Sequence, residues 1–208
     1  MRKNSKETIV SAAVSLFNTK GFSGTSIRDI AAKANTNPSN IGYYFDNKLG
    51  LLEHCLTTYF ELYMEQIEEA LTMLEESPSG CLKKVMKNIL YFQCSNLQMS
   101  RFIVREMSLD SQTVREIMST YYQKEKYYFQ EILECGMEKG EFRKLSTAYA
   151  IIQLKGLLCM PFLNPHYITE VLHVFPHERY FAEKYLEHLN SWIEGAILDN
   201  RIRAATGV

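Results

Sequence analysis

GFSGTSIRDIAAKANTNPSNIGYYFDNK, residues 21–48, is the stretch on which the reading of this chain turns. Gly21 follows Lys20 at the end of an apolar-periodic run, where a helix stops because glycine tolerates left-handed backbone. Thr25 or Ser26 can cap a second, short helix carrying Ile27, Ile30, Ala31 and Ala34. Asn35, Thr36 and Asn37 then break the pattern with turn-forming side chains. Pro38 suits the first turn of a third helix, since its missing N–H would be unpaired there anyway. That third helix turns Ile41, Tyr44 and Phe45 inward. A short helix, a tight turn and a second short helix form the unit that levers a helix into a DNA major groove.

Upstream, Ile9, Ala12, Ala13, Leu16 and Phe17 repeat at helical spacing and mark one face of a first helix. Downstream, a long helix is expected over residues 47–76, followed by a loop at Ser77-Pro78-Ser79-Gly80. Further helices are expected over 81–95, 98–108, 111–139 and 146–160, the last stopping at Pro161. A short helix near 165–173 and a final one over 177–199 complete the chain. No segment alternates with hairpin turns, so the fold class is all-α. The expected division is a three-helix, helix-turn-helix DNA-binding domain, residues 1–46, and a larger helical dimerisation and regulatory domain, residues 47–208.

Charge separates the same two parts. Arg2, Lys3, Lys6, Lys20, Arg28, Lys33 and Lys48 face only Glu7, Asp29 and Asp46, so residues 1–50 carry +4 while the whole chain carries −1. A basic head on an acidic body points to a polyanion as the partner of the head. Hydrophobic residues make up 46% of the chain, enough for a substantial core. Met1 to Lys6 are polar and basic with no signal-peptide core behind them, and no apolar run is long enough for a bilayer. The five cysteines are odd in number and widely spaced, as expected of reduced thiols in a cytosol. The chain reads as cytoplasmic, with no membrane partner.

The third helix offers Thr36, Asn37, Ser39, Asn40 and Tyr43 on its outer side, and Thr25, Ser26 and Tyr44 complete the candidate DNA-binding set. Amides and hydroxyls suit base edges: Asn pairs bidentately with adenine, and Arg28 is placed to do so with guanine. Lys48, at the start of the long helix, is the expected phosphate contact.

These residues resemble the TetR family of bacterial regulators. The match runs through Phe17, Gly21-Phe22, Thr25-Ser26-Ile27-Arg28-Asp29-Ile30-Ala31, Ile41-Gly42-Tyr43-Tyr44-Phe45 and Lys48-Leu49-Gly50-Leu51-Leu52. The resemblance implies double-stranded DNA as partner of the head, and a body that supplies a homodimer interface and often a small-molecule pocket. Two departures stand out: Gly42 occupies the place of a usual tyrosine, and Asn35 that of a usual turn glycine. In the body, residues 101–106, 114–128 and 153–171 are similar to TetR-like proteins of endospore-forming bacteria linked to positioning of the division septum. That resemblance implies palindromic chromosomal sites, a nucleoid-associated location during sporulation, and interference with FtsZ, the tubulin-like division protein.

By the same resemblance, dimerisation falls to the last two long helices, where Leu154, Leu158, Phe181, Tyr185, Leu189 and Trp192 supply apolar side chains that also fill the core of one chain. A small-molecule ligand would draw on Tyr59, Tyr63, Phe92, Met99, Met107, Met118, Tyr121 and Tyr122, a set that reads equally as plain core. Arg101, Arg105, Arg115 and Glu116, with Glu106, cluster charge at one helix–helix junction and form the candidate protein-partner surface. No phosphate-binding glycine loop or nucleophile elbow appears, and Gly21-Phe22-Ser23-Gly24 has no strand before it, so no enzyme is expected. His173 and His177 are four apart, but Pro176 lies between them, and no metal or cofactor is called for.

Overall fold

The computed structural model describes residues 5–109 and 111–199. Arg2 and Lys3, counted above in the basic head, lie outside the described residues. Nine α-helices are described: α1 Ser5–Lys20, α2 Ile27–Lys33, α3 Pro38–Phe45, α4 Lys48–Leu71, α5 Pro78–Ser95, α6 Leu97–Leu109, α7 Gln112–Glu138, α8 Thr147–Leu163 and α9 Arg179–Ala196. A π-helical turn, Tyr167–Val171, lies between the last two. Among the described residues β pairing is limited to one bridge, between Phe142 and Leu198.

The chain divides into two compact units. One comprises residues 1–61 with 98–118; the other comprises 62–97 with 119–208. In the first, Ile9, Ala13 and Phe17 of α1, Ile30 and Ala31 of α2, and Ile41 and Phe45 of α3 are buried. Phe17 is the centre of this core, with its ring 5.4 Å from Phe22 and stacked at 5.2 Å on Phe102 of α6. In the second unit Leu82, Val85 and Ile89 of α5, Phe129 and Ile132 of α7, Leu154 and Leu158 of α8, and Leu189 and Ile193 of α9 are buried.

Helix ends follow local chemistry. Gly21 has φ +78, as its place after α1 requires. Gly50 has a different reason: a Cβ there would sit 2.1 Å from the Phe45 carbonyl oxygen, so only glycine allows α4 to start this close to the end of α3. Ser77-Pro78 opens α5 rather than forming a free loop. Ser77 caps the helix by accepting the Gly80 N–H at 3.0 Å, with Pro78 in the first turn. Asn35, in the place of a turn glycine, has φ +50, a conformation asparagine tolerates better than most residues.

Pro161 does not stop α8, which runs on to Leu163. A helical proline deprives the carbonyl four residues earlier of its N–H. Here that carbonyl, Leu157 O, accepts the Tyr185 hydroxyl at 2.6 Å instead, so α9 supplies the missing donor.

Candidate nucleic-acid interface

α2 is held at its first turn by a capping box. The Ser26 hydroxyl accepts the Asp29 N–H at 3.1 Å, and the Asp29 carboxylate accepts the Ser26 N–H at 2.9 Å and its hydroxyl at 2.6 Å. Those Ser26 hydrogen bonds, with Lys20 3.4 Å away, pull the Asp29 carboxyl down to about 2. The box fixes where α2 begins and leaves Arg28 exposed on its outer side.

α3 begins with an equally local device. Asn37 Oδ1 accepts both the Ser39 N–H and the Ser39 hydroxyl at 2.9 Å. One turn on, Asn40 Nδ2 donates to Thr36 Oγ1 at 2.7 Å, which orients the amide and leaves its oxygen and second N–H for another partner. Ile41 and Phe45 are buried, so Ser39 and Tyr43 occupy the opposite face. Tyr43 is 83% exposed, and Tyr44 meets it edge-on with centroids 5.1 Å apart. A Cβ on Gly42 would touch nothing within 4 Å, so packing within the chain does not ask for glycine there.

The structure thus brings Arg28, Thr36, Asn37, Ser39, Asn40, Tyr43 and Tyr44 to the surface of one helix pair. Three expected contacts have other duties, the first being Ser26, whose hydroxyl is spent on Asp29 in the capping box. Thr25 is 2% exposed and its hydroxyl donates to the Gly21 carbonyl at 2.8 Å, so its side chain serves the turn and presents no surface to a groove. Lys48, expected on phosphate, donates from Nζ to the carbonyls of Phe22 and Thr25, both at 2.9 Å, over the Phe22 ring at 4.4 Å. Its ammonium ties the start of α4 to the α1–α2 turn.

Arg105, read as part of a partner surface, is likewise structural. Its guanidinium donates to the carbonyls of Phe17 and Asn18, satisfying the end of α1 where orphan acceptors collect. Asn18 answers by donating to the Gln98 carbonyl at 2.8 Å, so α1 and α6 are bolted on both sides of the Phe17–Phe102 stack. Arg101 is half-buried with Nε lacking a partner among the described residues, and burial lowers its pKa. Burial raises the pKa of Glu106, which keeps a contact to Arg105 at 3.5 Å. Arg115 and Glu116 are exposed on α7.

The expected dimer residues point inward. Leu154, Leu158, Phe181 and Leu189 are buried within the single chain, Tyr185 is spent on Leu157, and Trp192 is half-buried. The other side of α8 is also apolar: Tyr149 and Ile152 are 71% and 66% exposed, and Met160 and Leu163 follow on the same stripe. A helix apolar all round is one that gets covered on both sides.

The aromatic and methionine set read as a pocket is divided between the units, with Tyr59, Met99, Met107 and Met118 in one and Tyr63, Phe92, Tyr121 and Tyr122 in the other. Within the second unit the Tyr63 hydroxyl donates to buried Glu125 at 2.6 Å, and Lys155 Nζ pairs with the same oxygen at 2.6 Å. Burial pulls the Lys155 ammonium down, but Glu125 more than offsets it, leaving its pKa raised. No sequence pattern announced this group, since its members lie on three helices.

His173 sits outside any helix at φ +54 and α9 starts beyond His177, so the two share no helical face. All five cysteines are free, and burial pushes the Cys55 thiol up to about 12. Among the described residues no helix is long and apolar enough to cross a membrane.

The family described as "Bacterial regulatory proteins, tetR family" matches residues 9–55, which are most of α1, all of α2 and α3, and the first turns of α4. A "Probable HTH-type transcriptional regulator YttP" of Bacillus subtilis (strain 168) is 45% identical over 194 residues, covering 93% of this chain and 94% of that protein. Among solved structures, the TetR family transcriptional regulator PfmR from Thermus thermophilus aligns with a TM-score of 0.74 at 19% identity, over 89% of this chain and 96% of that one. The ketosteroid transcriptional regulator KstR2 of Mycobacterium tuberculosis aligns with a TM-score of 0.75 at 14% identity, over 96% and 97%. With a helix-turn-helix head whose turn residues behave as the pattern demands, and a regulator alike along nearly its whole length, the chain belongs to the TetR family of bacterial transcriptional regulators and is a DNA-binding protein, not an enzyme.

Proposed function

We propose that two copies of this chain bind a near-palindromic DNA site, each inserting α3 into one of two successive major grooves. The observation that carries this is the outer face of α3, where Ser39, Asn40 and Tyr43 stand opposite the buried Ile41 and Phe45. Arg28 and Tyr44 flank that face, and the pinned Asn40 amide retains the oxygen and N–H that adenine requires. Residues 1–46 act as the reading head, residues 47–208 as the dimerising and regulatory body. Half-sites then lie about 10–10.5 bp apart, or a multiple of it. The two copies pair through the outward stripe of α8, Tyr149, Ile152, Met160 and Leu163, with the outer side of α9, while the buried leucines hold each protomer together.

The DNA-bound dimer serves septum placement in a RefZ-like manner, coupling chromosomal sites to the FtsZ ring during sporulation. What supports this is the similarity of residues 101–106, 114–128 and 153–171 to TetR-like proteins of that role. Exposed Arg115 and Glu116 remain candidates for the partner surface, whereas Arg105 is committed to α1. A second reading, a ligand-responsive repressor, is favoured by the buried Tyr63–Glu125–Lys155 group, a convergent polar set in an otherwise apolar interior.

Sequencing the genomic fragments retained by purified protein separates these readings. A handful of palindromic sites scattered over one chromosomal region supports the division role, and FtsZ assembly should then respond to the DNA-loaded protein. One or two sites over promoters, released by a small molecule, favour the repressor. No enriched sequence refutes sequence-specific binding altogether.

A further inference from the structure

We infer that Tyr43 is the specificity-determining residue of the head, and that it reads the C5-methyl group of a thymine in each half-site. The inference rests on the proposed insertion of α3 into the major groove and names what is recognised there. At about 100° per residue, with Ile41 and Phe45 buried, the direction facing away from the core falls on Tyr43, with Ser39 about 40° to one side. Ser39 is short and its hydroxyl is already given to Asn37. Tyr43 is long and 83% exposed, more than any other large hydrophobic side chain among the described residues.

The ring is also positioned. Tyr44 packs against it at 5.1 Å and 75°, a T-shaped pair that restrains the ring while most of its surface stays exposed. Gly42 clears the space alongside: apart from its chain neighbours and the backbone of α3, no described atom lies within 4 Å of where its Cβ would be. A helix interior loses up to about 1 kcal/mol by carrying glycine instead of alanine. With no demand from the chain's own packing, the clearance serves what approaches from outside, and it lets the α3 backbone sit deeper with the ring leading. The apolar mark displayed in the major groove is the thymine methyl, since every other distinguishing group there is a hydrogen-bond donor or acceptor. An aromatic face with pinned amides and hydroxyls around it matches that mark.

The test uses the full-length protein and duplexes selected by it from a random-sequence library. Each thymine of the selected half-site is replaced in turn by deoxyuridine, which removes the methyl group and keeps base pairing. One position per half-site should lose affinity about fourfold, and the doubly substituted site about fifteenfold, the loss of one buried methyl per copy. Y43A should bind dT and dU duplexes equally, with its fold checked by circular dichroism. Y43F should keep the discrimination, because the ring and not the hydroxyl makes the contact. A half-site with a flat dU profile, or a dU penalty that survives in Y43A, overturns the inference while leaving groove insertion intact. So does a Y43F protein weakened equally on both duplexes, which would mean that the hydroxyl holds phosphate. A wild-type protein that selects no sequence overturns the underlying reading and this one with it.

Discussion

Replacing Lys48 by methionine separates a strut from a phosphate clamp. Methionine keeps most of the hydrocarbon stem and removes the ammonium, so the loss is confined to two hydrogen bonds and a cation–π contact. Each bond runs from a charged donor to a carbonyl at 2.9 Å, and such bonds contribute about 1.5–3 kcal/mol. The site is half-exposed, so the low end applies and water partly replaces the lost donor. The Phe22 ring, 4.4 Å from the ammonium, adds about 0.5–1 kcal/mol. We expect K48M to lose about 2–3 kcal/mol of stability, a fall in Tm of about 5–10 °C for a chain of this size. DNA binding by K48M is followed by fluorescence anisotropy at several salt concentrations. A strut predicts weaker binding at every salt concentration with an unchanged slope of log K against log salt. A phosphate clamp in both copies predicts a slope shallower by about 1.8 and an unchanged Tm. The second pattern would refute the structural role assigned to Lys48.

Lys155→Met strands the buried Glu125 carboxylate and should cost about 3–5 kcal/mol in denaturant unfolding, most of it regained in the K155M/E125L double variant. A double variant no better than the single one would mean that charge burial is not the cost. Asp29 has its pKa depressed from 3.8 to about 2, so the stability it lends the capping box is complete above pH 3.8 and is lost as pH falls through about 2. NMR titration of its carboxyl should show the low midpoint, moving back toward 3.8 in S26A; an ordinary midpoint in the wild type would contradict the box. Ile152→Glu should leave the protomer folded and shift it to monomer by light scattering, with weaker operator binding, whereas L158A should cost about 2–5 kcal/mol of stability. A dimeric I152E protein would place the interface elsewhere. Gly42→Ala should stabilise the free protein by up to about 1 kcal/mol yet bind DNA less tightly; equal or tighter binding would remove the case for close backbone approach.

The all-helical class, the order of the helices and the helix-turn-helix head are legible in the amino-acid sequence. Those features are written in signals a few residues long: the apolar period of Ile9 to Phe17, the Ser26–Asp29 box, Pro38 in a first turn, and Gly21 and Asn35 where the backbone turns left-handed. Which polar side chains are committed within the protein is settled only when distant segments pack. Lys48 meets acceptors 23 and 26 residues away, and Arg105 meets acceptors 87 and 88 away, so neither commitment leaves a trace in local spacing. The same holds for α8, apolar on both sides: periodicity cannot say whether Leu154 and Leu158 or Ile152 and Met160 face the core. From sequence Pro161 reads as a stop because a missing N–H is a local defect, yet the repair is a tyrosine hydroxyl from another helix. Local conformational preference sets where helices begin and end, while the partners of long side chains are fixed only when distant segments pack together.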